Sequence, residues 1–443
     1  MAEKIKKAVE KYRDEIYEAF DFILDHPETG FKEWETSRYL SSVFEKMGYD
    51  VEEFGDIPGF SVFADTGREG PEVLVTAELD ALICPGHPFA DKATGAAHSC
   101  GHNAQCAALV GLAGALRDEG ILNSLCGRIR LCAVPAEELI ELEYREGLKA
   151  QGIISYMTGK QELIFRGIFD SVDMALMVHT TQDKSFVSTK GAVGCVAKRA
   201  VYKGRAAHAG GNPWDGCNAL YAANLGLSGI NALRETFREE DIIRVHPIIT
   251  QGGTAVNAVP DRAVVESFVR GATLDAVISA NEKVNRALCA GALALGAEIE
   301  ITDTPGYSPL ENCKDMISLA GDAAELLGFE HHSYDVIGSG STDMGDLSCL
   351  MPVVHPYAPG AEGTSHGTDY SVSDVDSACV KSAQWQLQML CLLLENGGER
   401  AKKILSDFKP RFNSRDEYFK ELSRLSSKSS RIKYSEGRAE IVL

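Results

Sequence analysis

Val73-Leu-Val-Thr-Ala77, Ile129-Arg-Leu-Cys-Ala-Val134 and Met174-Ala-Leu-Met-Val178 are the three runs whose reading decides the fold. Each is short, apolar and free of the alternation that marks a half-exposed strand, so each reads as a strand buried on both faces. Helical stretches such as Ala104–Arg117 separate them. Strand–helix alternation of this kind predicts an α/β class with an open, mostly parallel sheet. Upstream, one helix is expected from about Ile5 to Asp25, ended by His26-Pro27, and a second from Trp34 to Met47. Downstream of Cys195 the character changes. Ala197–Val201 and Arg244–Thr250 read as exposed alternating strands, Ala263–Arg270 follows a Pro-Asp turn, and Cys217–Arg238 and Leu274–Leu295 read as long helices. Strands with accompanying helices suggest a separate α+β domain inserted into the first. The buried-strand pattern resumes at Pro352-Val-Val-His355, before a long helix over Val375–Leu394. The expected division is therefore residues 1–194 and 304–399 for the α/β domain and 195–303 for the insert. Residues 400–443 form a polar, locally basic C-terminal tail without strong periodicity.

Composition narrows the function. The 443 residues carry 44 Lys+Arg against 64 Asp+Glu, a formal charge of −20. That balance argues against nucleic-acid binding, which needs cations to replace phosphate counterions, and against anionic membrane surfaces. No run approaches the roughly 20 apolar residues that span a bilayer. The start, Met1-Ala-Glu-Lys-Ile-Lys-Lys7, has no apolar signal core. Twelve cysteines are scattered with no CxxC pair, the usage of a reduced, cytoplasmic protein.

The residues that carry chemistry sit at strand ends and in loops. Asp80 follows the Val73–Ala77 strand, Glu137 and Glu138 follow Ile129–Val134, and His179 closes Met174–Val178. Cys100-Gly-His102-Asn103 opens the Ala104–Arg117 helix, and His366 lies in a Gly-rich loop. In open α/β sheets functional groups collect beyond the carboxyl ends of the strands. Thiolate, imidazole and carboxylate together are the donor set of zinc and similar divalent ions. There are more candidates than one tetrahedral ion needs, which favours a two-metal site.

His26-Pro-Glu-Thr-Gly-Phe31, Glu78-Leu-Asp-Ala-Leu82, Cys100-Gly-His-Asn103 and Pro135-Ala-Glu-Glu138 occur in this order. They are followed by His179, Arg205-Ala-Ala-His-Ala209, Gly252-Gly-Thr-Ala-Val-Asn257, Gly340-Ser-Thr-Asp343 and His366. As a set they resemble peptidase family M20, the aminoacylase and carboxypeptidase-type metallopeptidases. Within it they resemble the amidohydrolase branch of aminobenzoyl-glutamate and auxin-conjugate hydrolases. The resemblance implies a catalytic α/β domain binding two divalent ions, zinc or manganese, through Cys100, His102, Glu138, His179 and His366. Glu137 would be the general base that takes a proton from the attacking water and passes it to the departing amine. Asp80 would orient a ligand histidine. The insert would be a lid and dimerisation domain, with His208, Asn257 and Arg270 binding substrate and the active form a homodimer. The implied substrate is a small N-acyl amino acid or dipeptide. Glu78 and Asn103 depart from the Asp common in the branch, which pulls the reading toward aminobenzoyl-glutamate and dipeptide substrates.

Two other classes compete. A thiol nucleophile at Cys100 with His102 as base is poorly served by two residues so close in one turn, because the base usually comes from a distant segment. A non-catalytic binding protein on the same scaffold would have no need of the complete donor set with Glu137 beside it.

Overall fold

The computed structural model describes residues 1–435 and 438–442. Its first compact unit comprises Met1–Gly191, Leu310–Gly338 and Thr342–Arg415. A six-stranded sheet runs through it in the order Glu52–Glu53, Phe60–Asp65, Arg128–Val134, Glu72–Glu78, Met174–Leu176, Val353–Val354. The last four strands are mutually parallel, and the first two join them at one edge through antiparallel pairing. The class is α/β with a mostly parallel central sheet. All seven residues of Glu72–Glu78 are buried, as the unbroken apolar run requires. Burying Val73, Leu74 and Val75 contributes roughly 1.5–3 kcal/mol each relative to exposure.

The helix His102–Leu116 is buried along its whole length. Its alanines and glycines leave room for close neighbours, and Ile16 and Tyr12 pack against Gly111 and Gly114. Helices Arg13–Asp25, Lys314–Leu327 and Ser382–Leu394 complete the same core. The single helix expected over 5–25 is two, Ala2–Glu10 and Arg13–Asp25, because Tyr12 leaves helical geometry. The third apolar run also breaks. Met174–Leu176 stays in the central sheet, whereas His179–Thr181 joins a different sheet by pairing in parallel with Tyr357–Pro359.

The second unit comprises Ala192–Pro309, Ser339–Ser341 and Asp416–Leu443. Its five-stranded antiparallel sheet has the order Arg244–Gln251, Arg262–Gly271, Gly194–Lys203, Glu298–Tyr307, Ser427–Ser430. Helices Ala219–Leu233 and Leu274–Leu295 pack together against it, started by Asn218 and Thr273, whose side chains accept the Tyr221 and Ala276 backbone N–H groups. Gly194–Lys203 is the central strand and mostly buried, not the exposed strand that alternation suggests. The reason is Lys198, a charged residue held inside by Asn285 and Asp303. The polar stretch past residue 400 is also structured, as helices Glu399–Asp407 and Arg415–Leu422 and the strand Ser427–Ser430. Ser427 Oγ donates to Asp303 Oδ2 at 3.1 Å, so this strand is fastened by polar side chains as well as by its ladder. Among the described residues no helix is long and apolar enough to cross a membrane.

Candidate metal centre and active site

The two central strands supply the first donors. Glu72–Glu78 and Arg128–Val134 are parallel neighbours with Glu78 opposite Val134. Their carboxyl ends therefore deliver Asp80, Glu137 and Glu138 to one place. Buried Asp80 ties three segments together. Its Oδ2 accepts the Glu138 backbone N–H at 2.8 Å, and its carbonyl oxygen accepts from His102 Nδ1 at 2.9 Å. With Nδ1 committed to a carbonyl, Nε2 is the lone-pair nitrogen of the neutral His102 ring, the form that binds a metal. That atom is buried and has no hydrogen-bond partner, although Glu78 Oε2 lies 3.2 Å away. A buried polar atom left unpaired is costly, and a bound cation would satisfy it.

The other donors converge on the same place. His179 heads its short strand, and its Nε2 is 3.4 Å from Cys100 Sγ. His366 adopts φ +65° and donates its backbone N–H to the Ser99 carbonyl, which brings its Nε2 to 3.3 Å from Glu138 Oε1. The ligand atoms of Cys100, His102 and His179 all lie within 4.8 Å of one another, and so do those of Cys100, Glu138 and His366. The two sets share the Cys100 thiol. A third set of the same tightness is Glu78, His102 and Glu137. Donors of sulfur, nitrogen and oxygen at this spacing could hold two adjacent divalent ions.

Electrostatics separates the roles. Burial and the charge of Glu138 push the Cys100 thiol up, but His179 and His102 outweigh them and hold it down to about 6. Burial pushes Glu138 up as well, and the His366 hydrogen bond and charge bring it below the usual carboxylate range. Its neighbour goes the other way: burial, then the charges of Glu78, Glu138 and Asp343, push Glu137 well above that range. Adjacent carboxylates driven apart in this manner suit one for ligation and the other for proton transfer.

Beneath this cluster lies a buried charge network that no local sequence pattern announces. Lys160 is fully buried, and its ammonium sits 2.6 Å from Glu78 Oε1 and 2.5 Å from Asp343 Oδ1. The Lys160 backbone N–H donates to Asp343 Oδ2, and Gln105 Nε2 donates to Glu78 Oε2 at 2.7 Å. Lys160, His102 and His179 overcome burial and hold Glu78 low, while burial and the Glu78 charge push Asp343 up despite Lys160. One cation thus serves two carboxylates. Gly159-Lys-Gln-Glu162 opens a helix and reads locally as a solvent-facing turn; nothing in its pattern marks it as interior. What buries it is backbone proximity, since a Cβ on Gly159 would overlap the Pro135 carbonyl oxygen.

The remaining predicted residues belong to the second unit. His208 Nδ1 accepts the backbone N–H groups of Gly210 and Gly211 at 3.1 and 2.9 Å. The ring is thereby held with its proton on Nε2, ready to donate. Asn257 lies beside it, its carbonyl accepting the Ala209 N–H next to the His208–Ala258 bridge. Half-buried Arg270 donates to Ser341 Oγ at 2.9 Å. Glu266, the acid nearest in sequence, pairs with Arg199.

Solved structures share this fold. A dinuclear metal-binding peptidase of family M20 from Bacillus subtilis superposes with a TM-score of 0.64 at 20% identity, covering 87% of this chain and 99% of its own. An aminobenzoyl-glutamate utilization protein from Klebsiella pneumoniae gives 0.66 at 18% identity, covering 88% and 98%. In sequence, the Xaa-Arg dipeptidase of Mus musculus is 30% identical over 314 residues, 68% of this chain and 65% of the relative. A p-aminobenzoyl-glutamate hydrolase chain of Escherichia coli is 29% identical over 305 residues, 67% and 59%. The match thus spans less than two thirds of the length of these curated relatives. The profile of peptidase family M20/M25/M40 matches residues 74–391, from within the strand Glu72–Glu78 to within the helix Ser382–Leu394. With most of its length matched in this way, the chain belongs to peptidase family M20/M25/M40.

Proposed function

We propose that the protein is a metal-dependent amidohydrolase that cleaves the amide bond of N-acyl amino acids or short dipeptides with a free α-carboxylate. Aminobenzoyl-glutamate-like compounds are the favoured substrates. The observation that carries this reading is the pair of three-donor sets sharing Cys100, with a separate buried acid, Glu137, beside them. Cys100, His102, Glu138, His179 and His366 would hold two divalent ions, zinc or manganese. When bound, such ions polarise a scissile carbonyl and ease deprotonation of water. Glu137, raised in pKa, takes the proton of the attacking water and returns it to the leaving amine. Asp80 keeps His102 turned so that Nε2 is free, and ties Glu138 to the same anchor. His208 donates from Nε2 to a substrate oxygen, and Asn257 contributes beside it. Arg270 presents a planar fork suited to a carboxylate, and the group it holds here, the Ser341 hydroxyl, is neutral and easily displaced. A local cation is needed, because a chain of charge −20 does not attract an anion from a distance. The active form is a cytoplasmic homodimer assembled through the second unit.

The likeness to the mouse Xaa-Arg dipeptidase favours a second reading in which the acyl part is an amino acid. Both readings share one test. Turnover of aminobenzoyl-glutamate and of dipeptides is measured with elemental metal analysis, before and after chelation, on free acids and on their α-amides. Hydrolysis should vanish with the metal, and amidation should lower kcat/KM by roughly ten-fold or more, the worth of one charge-assisted contact of about 1.5–3 kcal/mol. Arg270→Ala should erase most of that difference. Equal rates for free acid and amide would refute carboxylate recognition, and turnover that survives chelation would refute the metal chemistry.

A further inference from the structure

The motif His26-Pro-Glu-Thr-Gly-Phe31 and the residues just after it have no part in the chemistry above, yet they are built against the Glu137 turn. Fully buried Glu33 accepts the Ala136 backbone N–H on Oε1 at 2.7 Å. Ala136 has φ +54°, a left-handed conformation that a non-glycine residue holds only when its surroundings impose it. On the far side of Glu137, fully buried Arg145 donates Nη2 to the Glu138 carbonyl and Nη1 to the Met157 carbonyl at 2.5 Å. Gly30 lies between these parts: a Cβ there would overlap Arg145 Nη2 and come within 2.9 Å of Ala136 Cα. Thr29 Oγ1 donates to Glu141 Oε2, which fixes the chain leaving the turn, and the Glu28 carbonyl accepts the Ala81 N–H next to Asp80.

We propose that Glu33 and Arg145 are positioning residues that hold the backbone on either side of Glu137, Glu33 setting the base and Arg145 setting the adjacent ligand Glu138. Each acts through one peptide group, Glu33 through the residue before the base and Arg145 through the carbonyl of the ligand residue. The proposal rests on the reading of Glu137 as base and Glu138 as ligand.

The division of labour gives separate readouts. Glu33→Ala removes the acceptor, Glu33→Asp is one methylene too short to reach Ala136, and Glu33→Gln keeps an oxygen acceptor in place. On zinc-loaded protein with aminobenzoyl-glutamate or the best dipeptide, Glu33→Ala and Glu33→Asp should lower kcat by about ten-fold or more, since small misplacements of a reacting group are expensive. KM and zinc content should stay near wild type, and Glu33→Gln should restore most of kcat. Arg145→Lys keeps the charge but loses the fork, so transfer of zinc from the protein to excess chelator should speed up about ten-fold or more, a readout that needs no substrate. Wild-type kcat in folded Glu33→Ala, or a Glu33→Gln as impaired as Glu33→Ala, overturns the role of Glu33. Unchanged zinc release in Arg145→Lys overturns that of Arg145. Glu137→Gln is assayed alongside. If it retains turnover, the reading of the base falls and the role of Glu33 falls with it; if it is inactive while Glu33→Ala turns over normally, only the role of Glu33 falls.

Discussion

Replacing Lys160 with methionine tests the buried charge network most directly. The change keeps an unbranched side chain one atom shorter and removes the charge, leaving Glu78 and Asp343 buried with no cation between them. Breaking a buried pair by deleting one partner costs about 3–5 kcal/mol, because the remaining charge is uncompensated. The loss should depend on pH. Asp343 is already pushed above its ordinary range by burial and by Glu78, and losing Lys160 pushes it further. A carboxyl whose folded pKa is raised contributes stability that is full below its unfolded pKa, near 4, and is lost as pH rises through the folded value. Lys160→Met should therefore be more harmful at pH 8 than at pH 5. Urea unfolding of chelator-treated protein removes any contribution from bound ions. Trp385 reports on the unit, being fully buried with Nε1 donating to the Ala320 carbonyl. With a slope of about 3 kcal/mol per molar urea, the midpoint should fall by about 1 M or more at pH 8. Adding Asp343→Asn to Lys160→Met removes one stranded charge and should recover a large part of the loss. A midpoint within about 0.3 M of wild type at both pH values, under about 1 kcal/mol by the same slope, would refute the reasoning.

Two further outcomes concern the site itself. Glu137→Gln should keep metal content near wild type while abolishing turnover, whereas Glu138→Gln should lose metal; equal metal loss in both would refute the role assignment. His208→Ala should cut kcat strongly with metal stoichiometry unchanged, and an unaltered kcat/KM would remove His208 from substrate binding. Activity regained on mixing His208→Ala with Glu137→Gln would mean that subunits share the residue.

Much of this architecture is legible in the sequence because buried parallel strands write an unbroken apolar run. Once Val73–Ala77 and Ile129–Val134 are placed side by side, Asp80, Glu137 and Glu138 have to emerge together, and the structure does bring them together with Cys100, His102, His179 and His366. Lys160 is illegible for the opposite reason. Its burial depends on Glu78 and Asp343, 82 and 183 residues away, and a lysine beside a glycine and a glutamine looks solvated from within its own segment. The strand Ser427–Ser430 escapes for a related reason. At an edge it needs no apolar face, and what fastens it, Asp303, is again far along the chain. Glu33 and Arg145 hide differently: an acid just before one helix and a base within another gain their meaning only from the backbone groups they reach.

That edge strand also sets a timetable. Ser427 pairs with a partner 124 residues earlier, so the strand Glu298–Tyr307 leaves the ribosome long before its last neighbour exists. At roughly 5–20 residues per second the interval is about 6–25 s. Through it, Glu298–Tyr307 is an outer strand with unpaired N–H and C=O groups along part of its length, the kind of edge that recruits strands from other chains. During that window the nascent sheet has one defence of its own. The strand carries exposed Glu298 and half-buried Glu300 on its outer face, and like charges on two such edges repel before they can zip together. The acidity that reads in the finished fold as surface composition is, during synthesis, a guard on an unfinished sheet.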